Sequence, residues 1–597
     1  MAEYFSGTAS QERERWAKRD SKSPIEDSQD LLRLLEYPQL LGKTYLDHAG
    51  TTPWAKSLTT DFAQLMTEDL FGNPHSESDP SKLSDQKIEA TRIKALEFFN
   101  CDPKDWDLIF TPNATGAIKL VHDCFRDHAT EAGRNWWYGY HKDAHTSLVG
   151  VREGTRMHRC FRSDNEVEKW IDFRGLGGAV SPHDVQLFAY PAQSNMTGKR
   201  LPLDWSGQIR NGVRGEVYTL LDAAAYVSTA QLDLSNVDQA PDFVALSFYK
   251  IFGFPNLGAL LVRKASSKIL ESRKFFGGGT VEMVISVKDN WVSRKRTLHS
   301  RLEDGTLPFT SIFALDVAID THRKLYGPAP MKYISMHTSR LIKKLHDQLV
   351  ALRHSNGMHL IQVHTDHDRK KSAFGVSVFQ GATIAFSVLK SVGGFVSFLE
   401  VEQEANKQGI YVRSGSLCNP GGLATHLQWS PTDLREAYDY GHRCSDPQAE
   451  FKGKPIGVVR ASLGAMSNEA DIEHLILFIK ETYTDREYAS GGRIVLPDLV
   501  QKPGTPNSVS ALSQKEVSGT VLQITDQDIQ DRTHHALKQI GIIPPSTIQE
   551  YPTDADSVRG QSSKSFSMRS GGSKFRAKFR RSIFGVIRPK VTAQHYG

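Results

Sequence analysis

Between about residue 85 and residue 265, segments with apolar residues at helical spacing alternate with short, continuously apolar runs. SDQKIEATRIKALEFFN (84–100) predicts a helix, WDLIFTP (106–112) a strand and ATGAIKLVHDCF (114–125) another helix. Four later runs predict strands: VQLFAYPAQ, EVYTLLDAAA, DFVALSFYK and GALLVRK. This alternation predicts a parallel, doubly wound α/β sheet, in which ligands collect at the carboxyl ends of the strands.

The pattern changes after this region and predicts a second domain. Residues 310–350 have helical spacing, AMSNEADIEHLILFIKETY (465–483) predicts a further helix, and GATIAFSVL between them predicts a strand. We therefore predict a large α/β domain over 44–310 and a smaller α+β domain over 311–487. A polar extension, 1–43, precedes both domains and contains one amphipathic helix, SQDLLRLLEYPQLLG, so N-terminal residues are candidates to join the small domain.

Composition alters this interpretation mainly at the C-terminus. The chain has 597 residues, 39% of them hydrophobic, but residues 488–597 are rich in Ser, Gly and Pro and predict a disordered tail. Its segment 564–590 contains nine Lys or Arg and no acidic residue, so the net charge of +5 hides a net negative body. The composition thus argues against a nucleic-acid-binding body. The basic segment is either a solvated end or a surface for anionic lipid or an acidic partner.

Cysteine usage and hydropathy indicate a cytoplasmic protein. The N-terminus is polar, without the apolar region of a signal peptide, and we find no uninterrupted apolar run long enough for a transmembrane segment. The five cysteines are scattered and form no CxxC pair. We therefore expect reduced thiols, with no disulfide framework and no structural zinc.

Lys250 is the first candidate for chemistry, because it lies in the otherwise apolar run DFVALSFYKIFGFP. Burial disfavours the charged form of an amine, which lowers its pKa and makes it a nucleophile toward carbonyls. The alternative is an amine that reaches the surface from the end of a strand. Lys250 alone does not decide between the two.

Two upstream features suggest a cofactor. Asp222 ends the apolar run YTLLD, where a buried carboxylate would keep a pyridinium nitrogen protonated, or would simply cap the next helix. The segment IFTPNATGAIKL offers a strand, a turn and a helix, so the amides from Ala114 onward and the Thr115 hydroxyl would be available to a phosphate. The order of phosphate turn, aspartate and lysine suggests pyridoxal phosphate (PLP).

The wording of many segments between about 44 and 485 resembles one family. The segments are YLDHAGTTP, NPHS, IFTPNATGAIKLV, DAHTSLVG, YPAQSNMTGKRLPL, LLDAAAYVST, DFVALSFYKIFG, FFGGGT, EDGTLPF, RSGSLCNPGG and GKPIGVVRASLGAMSN. They resemble the aminotransferase-like domain of the molybdenum cofactor sulfurases, which are class V, cysteine desulfurase-like enzymes. The resemblance implies PLP-dependent fold type I, with a large doubly wound mixed sheet and a smaller α+β domain.

The resemblance also implies a role for each matching residue. Lys250 would form the internal aldimine, Asp222 would bind the pyridine nitrogen, and His145 would stack on the ring and help to move protons. The other cofactor contacts would be Asn195 to the ring hydroxyl and Ala114, Thr115, Ser247 and Tyr249 to the phosphate. Thr306 would reach the phosphate of a neighbouring subunit, which implies a homodimer. Arg460 would bind the substrate carboxylate bidentately.

Sulfur chemistry is implied for Cys418 in RSGSLCNPGG. Its Gly, Ser, Asn and Pro neighbours favour a mobile loop, and Arg413 would favour the thiolate. The alternative is an incidental loop cysteine. The resemblance implies that Cys418 takes sulfur from L-cysteine as a persulfide, leaves alanine, and passes the sulfur to the molybdenum cofactor or a molybdoenzyme.

The chain departs from the family pattern at three places. Ala225 stands where many desulfurases have a glutamine, and Ser416 and Leu423 stand where further cysteines of the loop would fall. We recognise no β-rich cofactor-binding domain in the last hundred residues. The alternatives are therefore a stand-alone cysteine desulfurase or lyase with another acceptor, a class V aminotransferase or epimerase in which Cys418 is idle, and a non-enzymatic scaffold that uses its basic tail.

Overall fold

The computed structural model describes residues 24–179, 181, 183–366 and 373–488. The predicted tail and its basic segment 564–590 lie outside the described residues, apart from residue 488, and so does the extension before residue 24. In chain order, the strands are Thr44–Tyr45 (β1), Trp106–Thr111 (β2), Trp136–His141 (β3), Met157–Phe161 (β4), Val185–Pro191 (β5), Val217–Asp222 (β6), Phe243–Ser247 (β7), Gly258–Arg263 (β8), Val281–Val284 (β9), Val292–Arg294 (β10), Ile361–His364 (β11), Thr383–Val388 (β12), Ile410–Tyr411 (β13), Arg413–Gly415 (β14), Glu450–Phe451 (β15), Lys454–Pro455 (β16) and Val458–Ser462 (β17).

The helices lie between these strands. In chain order, they are Pro24–Glu36 (α1), Lys56–Glu68 (α2), Asp79–Phe98 (α3), Ala114–Glu131 (α4), Thr146–Val149 (α5), Asp164–Asp172 (α6), Trp205–Gly212 (α7), Tyr249–Phe252 (α8), Lys268–Glu271 (α9), Leu298–Leu302 (α10), Phe309–Tyr326 (α11), Pro330–Ala351 (α12), Phe398–Lys407 (α13), Pro420–His426 (α14), Pro431–Asp439 (α15) and Glu469–Tyr483 (α16). The predicted helical region 310–350 is thus two helices. The chain turns between them at Gly327, whose φ of +83° ends α11.

Seven strands form the main sheet in the order β2-β8-β7-β6-β5-β3-β4. The strands from β7 to β4 in this order are parallel to one another, whereas β8 runs antiparallel to both β2 and β7. The sheet is therefore mixed. The connection from β7 to β8 is shorter than the dozen or more residues that a parallel crossover requires, which explains why β8 reverses direction.

Both faces of the main sheet are buried, as continuous apolar runs predict. Alternate residues of one strand belong to different core clusters: Leu108 and Phe110 pack on one face, and Ile109 packs on the other. On the first face, Trp137, Trp170 and Phe188 form a stack of aromatic rings. This packing fixes the strands whose carboxyl ends carry the site described below.

A four-stranded antiparallel sheet, in the order β11-β12-β17-β14, forms the smaller layer. Its core includes Leu341 and Leu345 of α12 together with Leu475 and Ile479 of α16. Helix α1 also reaches this region, because Arg33 forms a salt bridge of 2.5 Å with the buried Asp471. Among the described residues, no helix is both long and apolar enough to cross a membrane.

Candidate active site

A cavity opens at the carboxyl ends of β5, β6 and β7, beside the first residues of α4. These parallel strands end at the same edge of the sheet, since Pro191 pairs with Asp222 and Asp222 pairs with Ala245. The residues lining the cavity are Asn113, Ala114, Thr115, Ile118, His145, Ser147, Pro191, Gln193, Asn195, Asp222, Ala224, Ala225, Ser247, Tyr249 and Lys250. Eight of the eleven predicted site residues are among them, whereas Thr306, Arg460 and Cys418 are not.

Lys250 does not lie inside a strand, as its sequence context suggested, but on the single helical turn α8 directly after β7. Gly253 ends this turn with a φ of +78°, and a Cβ there would lie 2.5 Å from the Thr52 carbonyl oxygen. The chain can therefore fold back only because residue 253 is glycine. The turn presents Lys250 to the cavity rather than to the neighbouring strand.

The surroundings of Lys250 favour a neutral amine. Burial lowers its pKa, and the positive charges of Arg460 and Arg413 lower it further, while the carboxylate of Asp222 opposes them. The side chain is partly buried, and its Nζ forms no hydrogen bond with any of the described residues. A neutral amine without a partner is the form of lysine that attacks a carbonyl.

Asp222 is the last residue of β6, and its side chain is buried. Its Oδ1 accepts a hydrogen bond from the Ala224 N–H at 3.0 Å, whereas its Oδ2 has no hydrogen-bond partner among the described residues. Asp222 lines the cavity, so this oxygen is available to a ligand that donates a hydrogen bond. The site is thus suited to a protonated ring nitrogen that would satisfy Asp222.

His145 is the N-cap of α5, and it has a defined tautomer. Its Nδ1 accepts a hydrogen bond from the Ser147 N–H at 3.1 Å, so the neutral ring carries its proton on Nε2. Burial lowers the pKa of His145, the nearby cations including Lys250 lower it further, and Asp222 opposes them. At neutral pH, this ring is therefore an uncharged aromatic surface with one transferable proton.

The start of α4 provides groups that could hold a phosphate. Asn113 caps the helix by accepting the Gly116 N–H, while the Ala114 N–H donates to Ser247 Oγ at 3.0 Å. The Thr115 and Ser147 hydroxyl oxygens lie 2.8 Å apart. Hydroxyls gathered at the positive end of an 18-residue helix are typical of an anion site.

Arg460 lies beside the cavity on β17. It is 2% exposed, with Nη1 donating to the Asn195 carbonyl oxygen at 2.9 Å and Nη2 donating to Asp47 Oδ1 at 2.5 Å. Its Nε is buried and has no partner among the described residues. Burial lowers the pKa of Arg460, and Asp47 counteracts this effect. Nε is thus a guanidinium donor that no described residue satisfies.

The Cys418 loop is hydrogen-bonded to residues that follow β3 and β5. The Thr146 N–H donates to the Cys418 carbonyl oxygen at 2.9 Å, which places the cysteine backbone next to His145. Asn195 Nδ2 donates to the Leu417 carbonyl oxygen at 2.7 Å. The thiol is partly exposed. The sequence favoured a mobile loop, but the loop is held in place by contacts distant in sequence, which no local pattern reveals.

Thr306 is exposed, as the role predicted for it toward a neighbouring subunit requires. All five cysteines are unpaired; Cys101 and Cys124 are buried, whereas Cys160 and Cys444 are exposed. Within the described ranges, no group of His, Cys, Asp or Glu side chains is arranged to hold a metal ion.

Three residues near the site were missed by sequence reasoning. Gln193 and Ser147 line the cavity, and Asp47 pairs with Arg460. Each belongs to a segment that carried the family resemblance, so membership in those segments was the available signal. Gln193 is notable because Ala225, which stands where a glutamine was expected, lines the same cavity.

The residues fit PLP, judged by the chemistry of the donor set. The half-satisfied Asp222 suits the ring nitrogen, the unpartnered Lys250 amine suits the aldehyde, and the start of α4 suits the phosphate. His145 offers an uncharged ring on the same cavity.

The fold and this site define an α/β enzyme of the kind that uses PLP. Residues 44–475 match the family model described as aminotransferase class-V, and the chain belongs to this family, whose members use PLP. It is a homologue of the molybdenum cofactor sulfurases: it is 50% identical over 481 residues to the molybdenum cofactor sulfurase of Aspergillus clavatus, an alignment that covers 79% of this chain and 56% of that protein. The chain spans about half the length of the curated relatives it matches.

Solved structures share the fold at low identity. The apo cysteine desulfurase of Thermococcus onnurineus matches with a TM-score of 0.57 and 18% identity, over 78% of this chain and 99% of that one. C-DES, in a variant with glycine covalently linked to the PLP cofactor, matches with a TM-score of 0.51 and 15% identity, over 75% of this chain and 99% of that one. These matches confirm the predicted α/β fold.

Proposed function

We propose that this protein is a PLP-dependent L-cysteine desulfurase that stores sulfur as a persulfide on Cys418. The observation that carries the proposal is the hydrogen bond from the Thr146 N–H to the Cys418 carbonyl oxygen. It holds the cysteine backbone next to His145, which lines the same cavity as Lys250 and Asp222. The proposal also rests on the curated homologues, which are named molybdenum cofactor sulfurases.

Each side chain has a task in this proposal. Bound PLP would supply an electron sink for negative charge at the substrate Cα. Lys250 would hold the cofactor until substrate arrives, and its amine, whose pKa is lowered by burial, would then accept the Cα proton. Arg460 would bind the substrate carboxylate, and Asp222 would keep the ring nitrogen protonated.

The sulfur step uses the Cys418 thiolate as nucleophile. Its Sγ attacks the Sγ of bound cysteine, so that a sulfur–sulfur bond forms while the substrate Cβ–Sγ bond breaks. The electron pair of the broken bond stays on carbon, and protonation of Cβ together with return of the Cα proton from Lys250 gives alanine. The Nε2 proton of His145 is a suitable proton source beside the loop. The enzyme then carries one additional sulfur atom on Cys418.

We propose the molybdenum cofactor, free or bound in a molybdoenzyme, as the sulfur acceptor. This part of the proposal rests on the names of the relatives, of which the chain spans about half. Another acceptor is the alternative. The exposed, unpaired Cys160 and Cys444 suit a reducing compartment, so we place the activity in the cytoplasm.

A homodimer completes the proposal, with Thr306 binding the cofactor phosphate of the second copy. Thr306 is exposed and does not line the cavity of its own chain. The nearby β9–β10 hairpin exposes Met283, Val284 and Trp291, which gives it an apolar surface for a second copy. Light scattering should give twice the chain mass, and a monomer that binds PLP fully would exclude this role of Thr306.

Mass spectrometry tests the central proposal. The protein is reconstituted with PLP, incubated with L-cysteine and digested without reductant, and the Cys418 peptide should gain one sulfur atom. The exposed Cys444 serves as the internal control, because its peptide should gain none. Alanine production that continues unchanged in Cys418→Ser would refute the transfer mechanism.

Two further measurements separate the alternatives. Reconstituted protein should show a visible absorbance band that Lys250→Ala lacks, whereas folded protein that stays colourless with PLP would refute the enzyme assignment. The persulfidated protein is then mixed with a desulfo molybdenum hydroxylase. Failure to activate that hydroxylase despite a loaded Cys418 would indicate a different acceptor.

A further inference from the structure

Asn419, the residue after Cys418, joins the small-domain loop to the large domain. Its side chain is completely buried, although it belongs to a loop. Nδ2 donates to the Asp143 carbonyl oxygen at 3.2 Å and to Asn195 Oδ1 at 3.0 Å, and Ser194 Oγ lies 3.5 Å away. All three of these residues belong to large-domain loops that follow β3 and β5.

The carbonyl oxygen of the Asn419 side chain bonds within its own loop. Oδ1 accepts the Gly422 N–H at 2.9 Å, so Asn419 is the N-cap of α14. The side chain thus uses its acceptor within the loop and its donors across the domain boundary. A carboxylate can replace the capping oxygen but offers no donor, and a serine hydroxyl offers one O–H in place of the two N–H groups of the amide.

The backbone conformation of the loop requires hydrogen bonds from residues outside it, which we call the clamp. Leu417 and Cys418 have φ values of +56° and +53°, in the left-handed region that residues other than glycine seldom adopt. Consecutive residues of this kind persist only when surrounding contacts hold them. The bonds to the Leu417 and Cys418 carbonyl oxygens and the two donors of Asn419 provide these contacts.

Packing beside the clamp is equally close. A Cβ added at Gly421 would lie 2.2 Å from the Lys142 carbonyl oxygen, so the first turn of α14 rests directly on the chain leading to His145. A shift of the loop by one bond length would therefore break or strain several contacts together.

We propose that Asn419 is a positioning residue, which holds the strained Cys418 backbone against the large domain so that the thiol stays beside His145 and the cavity. The inference rests on the proposed function for the purpose of this position, although the clamp itself does not depend on that function. Asn419 acts through Cys418 and is not expected to touch substrate or cofactor.

The test uses Asn419→Asp and Asn419→Ser, which both keep a capping oxygen and remove the amide donors. Asn356→Asp is the matched control: Asn356 likewise accepts a backbone N–H, from Met358, and donates to a backbone carbonyl, of Ser391, but in an exposed turn. PLP-loaded full-length proteins are compared by the alkylation rate of Cys418, with Cys444 as internal reference.

We expect Cys418 to be alkylated roughly tenfold faster in both Asn419 variants, because the loss of two buried hydrogen bonds frees the loop. Cys444 alkylation and the visible absorbance should match wild type. In kinetics with L-cysteine, kcat for persulfide formation should fall while KM stays unchanged. A purely structural role would instead lower absorbance and stability together.

The outcomes are distinguishable. Cys418 alkylation and kcat equal to wild type in the two Asn419 variants would overturn the proposal, and so would an equal change in Asn356→Asp. If only one Asn419 variant folds, the folded one decides. Faster Cys418 alkylation without persulfide in any variant, including wild type, would refute the proposed function but support the clamp.

Discussion

Replacement of Arg460 by lysine should weaken substrate binding far more than cofactor binding. Two of the guanidinium nitrogens already bond to the Asn195 carbonyl oxygen and to Asp47, while Nε is enclosed and has no partner. A substrate carboxylate would take the remaining N–H groups of the two terminal nitrogens. Lysine keeps the charge but cannot form this fork.

The magnitude follows from the bonds that lysine cannot replace. A hydrogen bond to a charged group contributes about 1.5–3 kcal/mol, so the loss of the fork costs about 3 kcal/mol after the partial replacement by lysine. At about 1.4 kcal/mol per factor of ten, KM for L-cysteine should rise roughly 150-fold. Because the carboxylate is bound equally in ground and transition states, kcat should change little.

The assay is steady-state alanine formation from L-cysteine, with the visible absorbance as a check on bound PLP. The matched control is Arg413→Lys, because Arg413 pairs with Arg460 across β14 and β17 but is exposed. Its replacement should change KM by less than about fivefold. An Arg460→Lys variant with a KM within about threefold of wild type would refute bidentate binding of the carboxylate by Arg460, since even one lost hydrogen bond to a charged group exceeds that effect.

Three other predictions concern the cofactor and stability. Gln193→Glu keeps the oxygen that Arg200 Nε bonds at 3.0 Å but removes the amide donor, so the Kd for PLP in an absorbance titration should rise roughly tenfold; an unchanged Kd would mean that the amide does not contact the cofactor. Arg92→Met leaves the buried Glu303 without its 2.6 Å partner and should cost about 3–5 kcal/mol in denaturant unfolding, and a cost below about 1 kcal/mol would contradict burial of the pair. Burial lowers the pKa of His322 to about 3, so the unfolded chain binds a proton below pH 6.5 that the folded chain excludes. The free energy of unfolding should therefore fall by about 2 kcal/mol from this group alone between pH 6.5 and 5. The His322→Phe variant should lose correspondingly less over the same pH range.

The sequence predicted the elements whose signal is local. The apolar runs that became β2, β5, β6, β7 and β8 were recognised because both faces of the sheet are buried. WWYGYH, which forms β3, and MHRCF, which forms β4, were not assigned, since the former mixes glycine with bulky aromatics and the latter alternates with polar residues at the sheet edge. Among the described strands, β4 pairs only with β3, and it leaves alternate residues partly or fully exposed, so its sequence has no continuous apolar run.

The site residues likewise fall into those that the local sequence indicates and those whose position depends on distant contacts. The sequence indicates Lys250 and Asp222 because each lies near the end of an apolar run, and it indicates His145 through the family resemblance of its segment; the strand order then brings them to one cavity. The helical turn at Lys250 depends on the approach of Gly253 to Thr52, a contact across about two hundred residues. The Cys418 loop likewise depends on Thr146 and Asn195, so its conformation was not available from the sequence around it.

Few side-chain donors of the cavity remain for a cofactor ring hydroxyl. Ala225 has no side-chain donor. Asn195 donates one N–H to the Leu417 carbonyl oxygen and accepts from Asn419 through Oδ1, which leaves a single N–H for the cofactor. Gln193 lines the same cavity, and its amide nitrogen has no partner among the described residues while Arg200 holds its oxygen. Gln193 can therefore replace the donor missing at 225. In the proposed function Asn195 would then serve both the cofactor and the cysteine loop, so loss of its side chain should weaken PLP binding and loop docking together.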